Sequence, residues 1–208
     1  MTNPNTPWLN IDGRPIEVSR WHTAMTVAKY NAETVRQVTH DLNSGVEPTG
    51  GVFDLHGVSP DDVAHEDGNL MTTAGLNLLT ALFIGAAGTT FNNSHAIVGV
   101  GSSSTAAAVG DTALGGNGST TTAYYQGADA TYPTQANGLI TCYATYASAN
   151  ANFAWNEWCF AAGTGTVTAG GTLASVATGV VMINHKIASL GTKVSGSVWV
   201  AQGTITES

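Results

Sequence analysis

The stretch Asn152-Phe-Ala-Trp-Asn-Glu-Trp-Cys-Phe160 decides how this chain reads. Four aromatic residues fall within nine positions and alternate as a strand should. Trp155 and Glu157 are expected on one side, and Asn156, Trp158 and Phe160 on the other. At least one tryptophan is then core. Phe153, Trp155, Trp158 and Phe160, with Trp199 near the end of the chain, are the candidate core or subunit-interface aromatics. Everything after Gly68 reads as sheet wrapped around this strand.

Further strands are predicted at His95 to Gly101, Leu139 to Tyr146, Gly179 to Ile187 and Val198 to Thr206, each bounded by Gly, Ser, Asn or Pro. In Leu139 to Tyr146 the residues Ile140, Cys142, Ala144 and Tyr146 point one way and Thr141, Tyr143 and Thr145 the other. Lys186 to Lys193 is read as crossing a turn at Gly191. About six strands with no helices between them predict a mainly β chain, its body an antiparallel, jelly-roll-like β-sandwich with an N-terminal extended arm and one or two helices. Between the strands, Ser102 to Thr122 is a loop of small residues. Gly99 and Gly101 make a tight strand end rather than a phosphate loop, because no helix start or lysine follows.

The first 68 residues are built differently. Ten of the 14 carboxylates lie between Asp12 and Asp67, whereas residues 37 to 185 contain no Lys or Arg. We therefore divide the chain into an arm and helical attachment region over 1–68 and a sandwich body over 69–208. Pro4, Pro7 and Pro15 keep residues 1–20 extended, with a turn at Ile11 to Arg14. The apolar residues Trp8, Leu9, Ile16, Val18 and Trp21 have little beside them to pack on, which makes them candidate protein-interface residues or a strap across the chain's own core. Asn31 caps a helix whose Val35, Val38 and Leu42 form one stripe, stopped at Gly45. Pro48 to Val58 reads as loop then strand. Ser59-Pro60-Asp61-Asp62 reads as a helix start lasting a turn or two, to Gly68. Leu70 to Ile84 is helical and so apolar around its circumference that it is expected to be covered on most sides.

Composition excludes several functions. A net charge of −8 without a basic cluster speaks against nucleic acid and anionic membranes as partners. The longest apolar run, Leu76 to Ala87, is too short to span a bilayer, and the N-terminus has no signal-peptide pattern. Folding in a cytoplasm is expected. Cys142 and Cys159 are either two buried thiols or, if their strands are neighbours, a bridge.

No catalytic residue, cofactor site or metal site is assigned. The histidines are scattered, no Gly-x-Ser-x-Gly elbow occurs, and a lone strand histidine such as His185 reads as a satisfied core or edge residue. Asp61, Asp62, Glu66 and Asp67 with His56 and His65 match neither a calcium loop nor a zinc spacing. Glu157 between two tryptophans has three readings: core or subunit interface, a sugar contact, or one of the two carboxylates of a glycosidase.

Taken in order, Asn69 to Leu79, His95 to Leu114, Ala151 to Trp158 and Asn184 to Lys193, with Trp199 in the final strand, resemble virion structural proteins of tailed bacteriophages, variously tail-fibre-like, minor tail or head-associated. The resemblance covers residues 69 to 206 and brings no catalytic residues. It implies a non-enzymatic subunit on the exterior of a virion, as capsid decoration or as a neck, collar or tail-fibre attachment unit. Its partners would be other capsid or tail proteins and copies of itself, assembled in the bacterial host cytoplasm. The alternative is a host receptor- or glycan-binding module using Tyr124, Tyr125, Tyr132, Tyr143 and Trp199.

Overall fold

Period-two alternation becomes sheet wherever two apolar faces can be buried at once. The computed structural model describes residues 21–43, 45–68 and 70–207. In chain order these form β1 (Trp21–Tyr30), α1 (Ala32–Asp41), α2 (Gly50–Leu55), β2 (Asp62–Asp67), β3 (Leu70–Met71), α3 (Thr73–Phe83), β4 (Ala96–Gly101), β5 (Ala123–Gly127), β6 (Thr134–Ala136) and β7 (Leu139–Tyr146). There follow β8 (Ala154–Thr164), α4 (Leu173–Val176), β9 (Thr178–Met182), β10 (Asn184–Thr192) and β11 (Val198–Glu207). The first sheet has the order β2-β1-β11-β7-β6, and the second the order β3-β10-β8-β4-β5, with β9 also paired to β8. Every pairing is antiparallel. The expected antiparallel sandwich is therefore present, with eleven strands among the described residues rather than about six.

The core between the sheets takes Met25 and Val27 from β1, Cys142, Ala144 and Tyr146 from β7, and Trp199, Ala201 and Ile205 from β11. Against these stand Val98 and Val100 of β4 and Trp155, Trp158 and Phe160 of β8. Trp155, Trp158 and Phe160 are wholly buried, Trp199 nearly so, and Phe153 packs on the margin. Strict alternation fails in one respect, since Trp155 and Trp158 enter the same cluster although they are three residues apart. The pairing of β8 with β10 slips between Ile187 and Gly191, so the strand is not regular between the two tryptophans. Gly191 makes no turn: it lies inside β10 opposite Trp155.

Both outer faces are also covered. Tyr30, Val198 and Val200 on the first sheet are roofed by Val35 and Val38 of α1 and Phe53 of α2. Ile97, Tyr125, Cys159 and Met182 on the second are roofed by Leu114, Leu173 and Val176. Residues 21–67 thus belong to the sandwich, and a boundary after residue 68 separates no structural unit among the described residues. Trp21 opens β1 and packs against the core instead of belonging to an arm. Trp8, Leu9, Ile16 and Val18 lie outside the described residues.

Two local expectations are reversed near the N-terminus. Asn31 does cap α1, its side chain accepting from Glu33 N and Thr34 N. Residues 50–55, however, are helical because Phe53 stacks face to face on Tyr30, with ring centroids 3.7 Å apart. That contact is worth more than the weak strand propensity of a Gly-Gly start. Residues 62–67, read as a helical start, form instead an edge strand on β1. Asp61 turns away and accepts from Asn31 N and Thr34 Oγ1, supporting the neighbouring helix rather than starting its own. α3 begins only after Thr72, whose hydroxyl accepts from Gly75 N.

β9 and β10 run along one edge of β8, broken at Ile183. The break loses little, because Ile183 N donates to Phe160 O at 2.8 Å and the Asn184 side-chain oxygen accepts the Phe160 N–H at 2.7 Å. Gly75 of α3 presses on this junction, where an added Cβ would stand 2.3 Å from Ile183 O.

Cys142 belongs to the inter-sheet core and Cys159 to the outer cluster of the second sheet, and both are free and buried. Burial, with the Asp129 charge, pushes the Cys142 thiol up to about 12, and burial and Glu157 push Cys159 up as well. Thiolate is the reactive form. Neither cysteine is expected to react with a thiol reagent at neutral pH until the chain unfolds, and both should then be labelled. Mass spectrometry after native and denaturing alkylation checks this, and native labelling would contradict the burial.

Candidate functional site

The strongest concentration of chemistry is a chain of ionisable groups running from β8 through β10 into the loop after β4. Glu157 is wholly buried on the face of β8 opposite Trp158. Its carboxylate accepts from Ser103 N at 3.2 Å, Gly115 N at 2.8 Å and Gly116 N at 2.8 Å. It also meets His185 Nε2 at 2.9 Å, while His185 Nδ1 meets Asp111 Oδ2 at 2.7 Å. Asp111 in turn accepts from Ala108 N. Space for the carboxylate is made by Gly101, where an added Cβ would fall 2.3 Å from Glu157 Oε1. That is the physical content of the glycine-tight strand end.

Burial alone lowers the affinity of His185 for its second proton. Hydrogen bonds to Glu157 and Asp111, and their charges, outweigh it, and the pKa is raised. An imidazolium between two carboxylates follows, with both ring nitrogens engaged. Both ring nitrogens of His185 are thus taken by carboxylates. The group ties the loop Ser102 to Thr122 to two strands, and His185 is the satisfied core residue its isolation in the sequence suggested.

Lys193 is a second buried charge. Its ammonium donates to Ala147 O at 2.8 Å and Asn152 Oδ1 at 3.0 Å. Burial lowers its pKa to about 8 in spite of Glu47. Trp158 Nε1 is the only buried side-chain nitrogen or oxygen among the described residues with no hydrogen-bond partner. It lies in the close-packed core, and nothing in the structure explains it.

The acidic cluster of residues 61–67 is spread out. Asp61 supports α1, Asp62 pairs with Lys29, and Asp67 stands 3.2 Å from His65 and 3.7 Å from His22 on the exposed edge. Among the described residues no three His, Cys, Asp or Glu side chains converge in a metal-binding group.

Two surface features remain. On α3 the inner side, Leu78 with Leu79 and Leu82, packs against the core. The outer side shows Leu76, Phe83 and Ile84 at helical spacing, and Phe83 is 91 % exposed. The expectation that this helix is covered on most sides is overturned. Beside its first turn lies exposed Val109, whose carbonyl accepts from Thr73 N.

The second feature is a groove on the outer face of the first sheet, lined by Thr26 and Tyr30 of β1, Asp54 of α2, Pro60, Tyr143 of β7 and Gln202 of β11. Of the five aromatics named for ligand contact, Tyr124, Tyr125 and Trp199 are buried, and only Tyr132 and Tyr143 keep exposed surface. Those two rings pack together with centroids 4.4 Å apart. Tyr30, Asp54 and Gln202 carry no local motif, and only the fold brings them together. No protein-family model matches the chain, and no curated protein or solved structure matches it.

Proposed function

We propose that the chain is a non-enzymatic structural subunit on the exterior of a tailed-phage virion, working through protein–protein contacts. The observation that carries this reading is the outer side of α3. Leu76, Phe83 and Ile84 present apolar surface to water, on a chain whose two sheets are packed on both faces. Patches of that kind on a folded surface mark contact with another protein. The resemblance of residues 69–206 to virion proteins supplies the setting. A surface with charged residues at only 10 % of the chain suits packing against like neighbours without repulsion. Capsid decoration and neck, collar or tail-fibre attachment are the specific positions this role allows.

Phe83→Asp with Ile84→Asp changes only exposed positions, so the chain is expected to fold and melt as before. Its incorporation into purified particles should fall by about tenfold or more, since apolar anchors dominate such interfaces. Undiminished incorporation of the double variant would remove α3 from the contact and with it this reading.

A further inference from the structure

We infer that the groove between α2 and the outer face of the first sheet binds a neutral saccharide, one sugar ring at a time, a function beyond the structural role proposed above. Its floor is a row of side chains across four adjacent strands. His65 stands opposite Thr26, Thr26 opposite Gln202, and Gln202 opposite Tyr143. Above that row α2 places Asp54, and β1 adds the hydroxyl of Tyr30. Among the described residues the side chains of Asp54 and Gln202 and the hydroxyls of Tyr30 and Tyr143 make no hydrogen bond, while Thr26 Oγ1 is held by His65 Nδ1 at 2.8 Å. Polar groups that converge without pairing leave donors and acceptors for a ligand.

The chemistry selects the ligand class. A sugar ring has an apolar C–H face and a rim of hydroxyls that both donate and accept. Tyr143 offers a ring to the first, and its position is fixed by packing on Tyr132. Asp54 accepts from the rim, the amide of Gln202 both donates and accepts, and the two phenols do the same. Burial raises the Tyr30 phenol and the Asp54 charge adds to it, and Tyr143 is raised by burial, by Tyr132 and also by Asp54. Both phenols thus stay protonated donors beside that carboxylate.

Charge narrows the class further. Among the described residues no Lys or Arg lines the groove and Asp54 does, so phosphate or an acidic sugar would meet its repulsion. An aromatic cage for a quaternary amine is ruled out by Tyr30, whose face is taken by Phe53 and which presents only its hydroxyl. The volume, about 200 Å³, is below the roughly 300–1,000 Å³ of sites that engulf drug-sized ligands. It suits a single ring held at the surface.

The test titrates the isotope-labelled full chain with glucose, galactose, N-acetylglucosamine and N-acetylgalactosamine, and with sialic acid and choline as charged controls, following backbone amide shifts. At least one neutral sugar should bind at millimolar concentration and move the amides of Asp54, Tyr143 and Gln202, while neither control does so. Gln202→Ala, on the open face of β11, should leave the fold intact and weaken that binding by about tenfold, the size of one hydrogen-bonded contact to a charged or polar rim. Tyr143→Ala should abolish it. No response of the groove amides to any neutral sugar, a response to choline or sialic acid instead, or full affinity in Gln202→Ala and Tyr143→Ala would each overturn the proposal. None of these outcomes touches α3, so the structural role stands or falls separately.

Discussion

Glu157→Ala is expected to destabilise the sandwich by about 3–5 kcal/mol, the cost of breaking a buried charged group by removing one partner. The alanine would strand three backbone N–H groups, of Ser103, Gly115 and Gly116, and leave His185 Nε2 without its carboxylate. The damage should be local as well as global, because those hydrogen bonds tie the loop Ser102 to Thr122 to β8. Limited proteolysis ought to cut the variant there first, well below its melting temperature. Glu157→Gln keeps the volume and one acceptor, and should lose less than the alanine variant. If Glu157→Ala melts within about 0.5 kcal/mol of the parent, as an ordinary surface change would, the network does not hold the loop.

The same network gives stability a pH signature. The folded pKa of His185 is raised above its ordinary 6.5, so its contribution is complete below 6.5 and is lost as pH rises through the folded value. Asp111 is shifted the other way: burial alone raises it, but the Ala108 N–H and His185 outweigh this and lower it. Its contribution is present above the ordinary 3.8 and lost as pH falls through the lowered value. Lys193 runs against His185 on the alkaline side. With a folded value of about 8, below the ordinary 10.5, it makes the protein more stable as pH climbs between the two. Urea melts of the parent and His185→Gln isolate the histidine. Their difference should be largest at mildly acidic pH and shrink toward alkaline pH, and a constant difference would contradict the charged imidazolium.

Gly203→Ala should be strongly destabilising. An added Cβ would sit 1.9 Å from Phe160 Cζ and 2.3 Å from Cε1, so the ring of β8 occupies the place a side chain on β11 would take. Phe160 is buried and edge-packed against both Phe91 and Trp158, and has nowhere to go. Over-packing of this kind costs about 1–3 kcal/mol in ordinary cores, and we expect the upper end or beyond. Phe160→Leu alone should also destabilise, by leaving a void, yet in combination with Gly203→Ala the two should cost less than their sum. A double-mutant cycle on chemical denaturation measures that coupling. Strict additivity would mean that the ring and the glycine do not share the space.

How much of this was legible in the sequence depends on how far apart the deciding residues lie. Leu139–Tyr146 was found to the residue because alternation over eight positions is a local signal. Asn31 announced α1 for the same reason. β1 was missed: Thr23, Met25 and Val27 are buried in sequence order, but a neighbouring Pro-marked segment and mixed polar residues masked the period. Residues 50–55 and 62–67 exchanged roles because Tyr30 and the open edge of β1 decide between helix and strand there. Neither is visible from those short segments. The buried network was legible only in part, through Glu157 and an isolated His185. Its third member, Asp111, stands 74 positions from the histidine it meets. Of the groove only Tyr143 was named from the sequence, since Tyr30, Asp54, Tyr143 and Gln202 come from four elements.

The pairing of β1 with β11 has a consequence for synthesis. Trp21 stands opposite Glu207 and Tyr30 opposite Val198, so β11 fills the slot between β1 and β7 in the first sheet. During synthesis the antiparallel pair of β1 and β2 is made well before β11, and the edge of β1 that β11 takes stays unpaired until residues 198–207 have been added. Contacts so distant in sequence close slowly, and an unpaired edge is an invitation to other nascent chains. A message broken or stopped just short of Val198 would yield chains that carry most of the core residues and still cannot close the sheet. Closure of the first sheet thus waits on β11, the strand that joins its earliest-made part to β7.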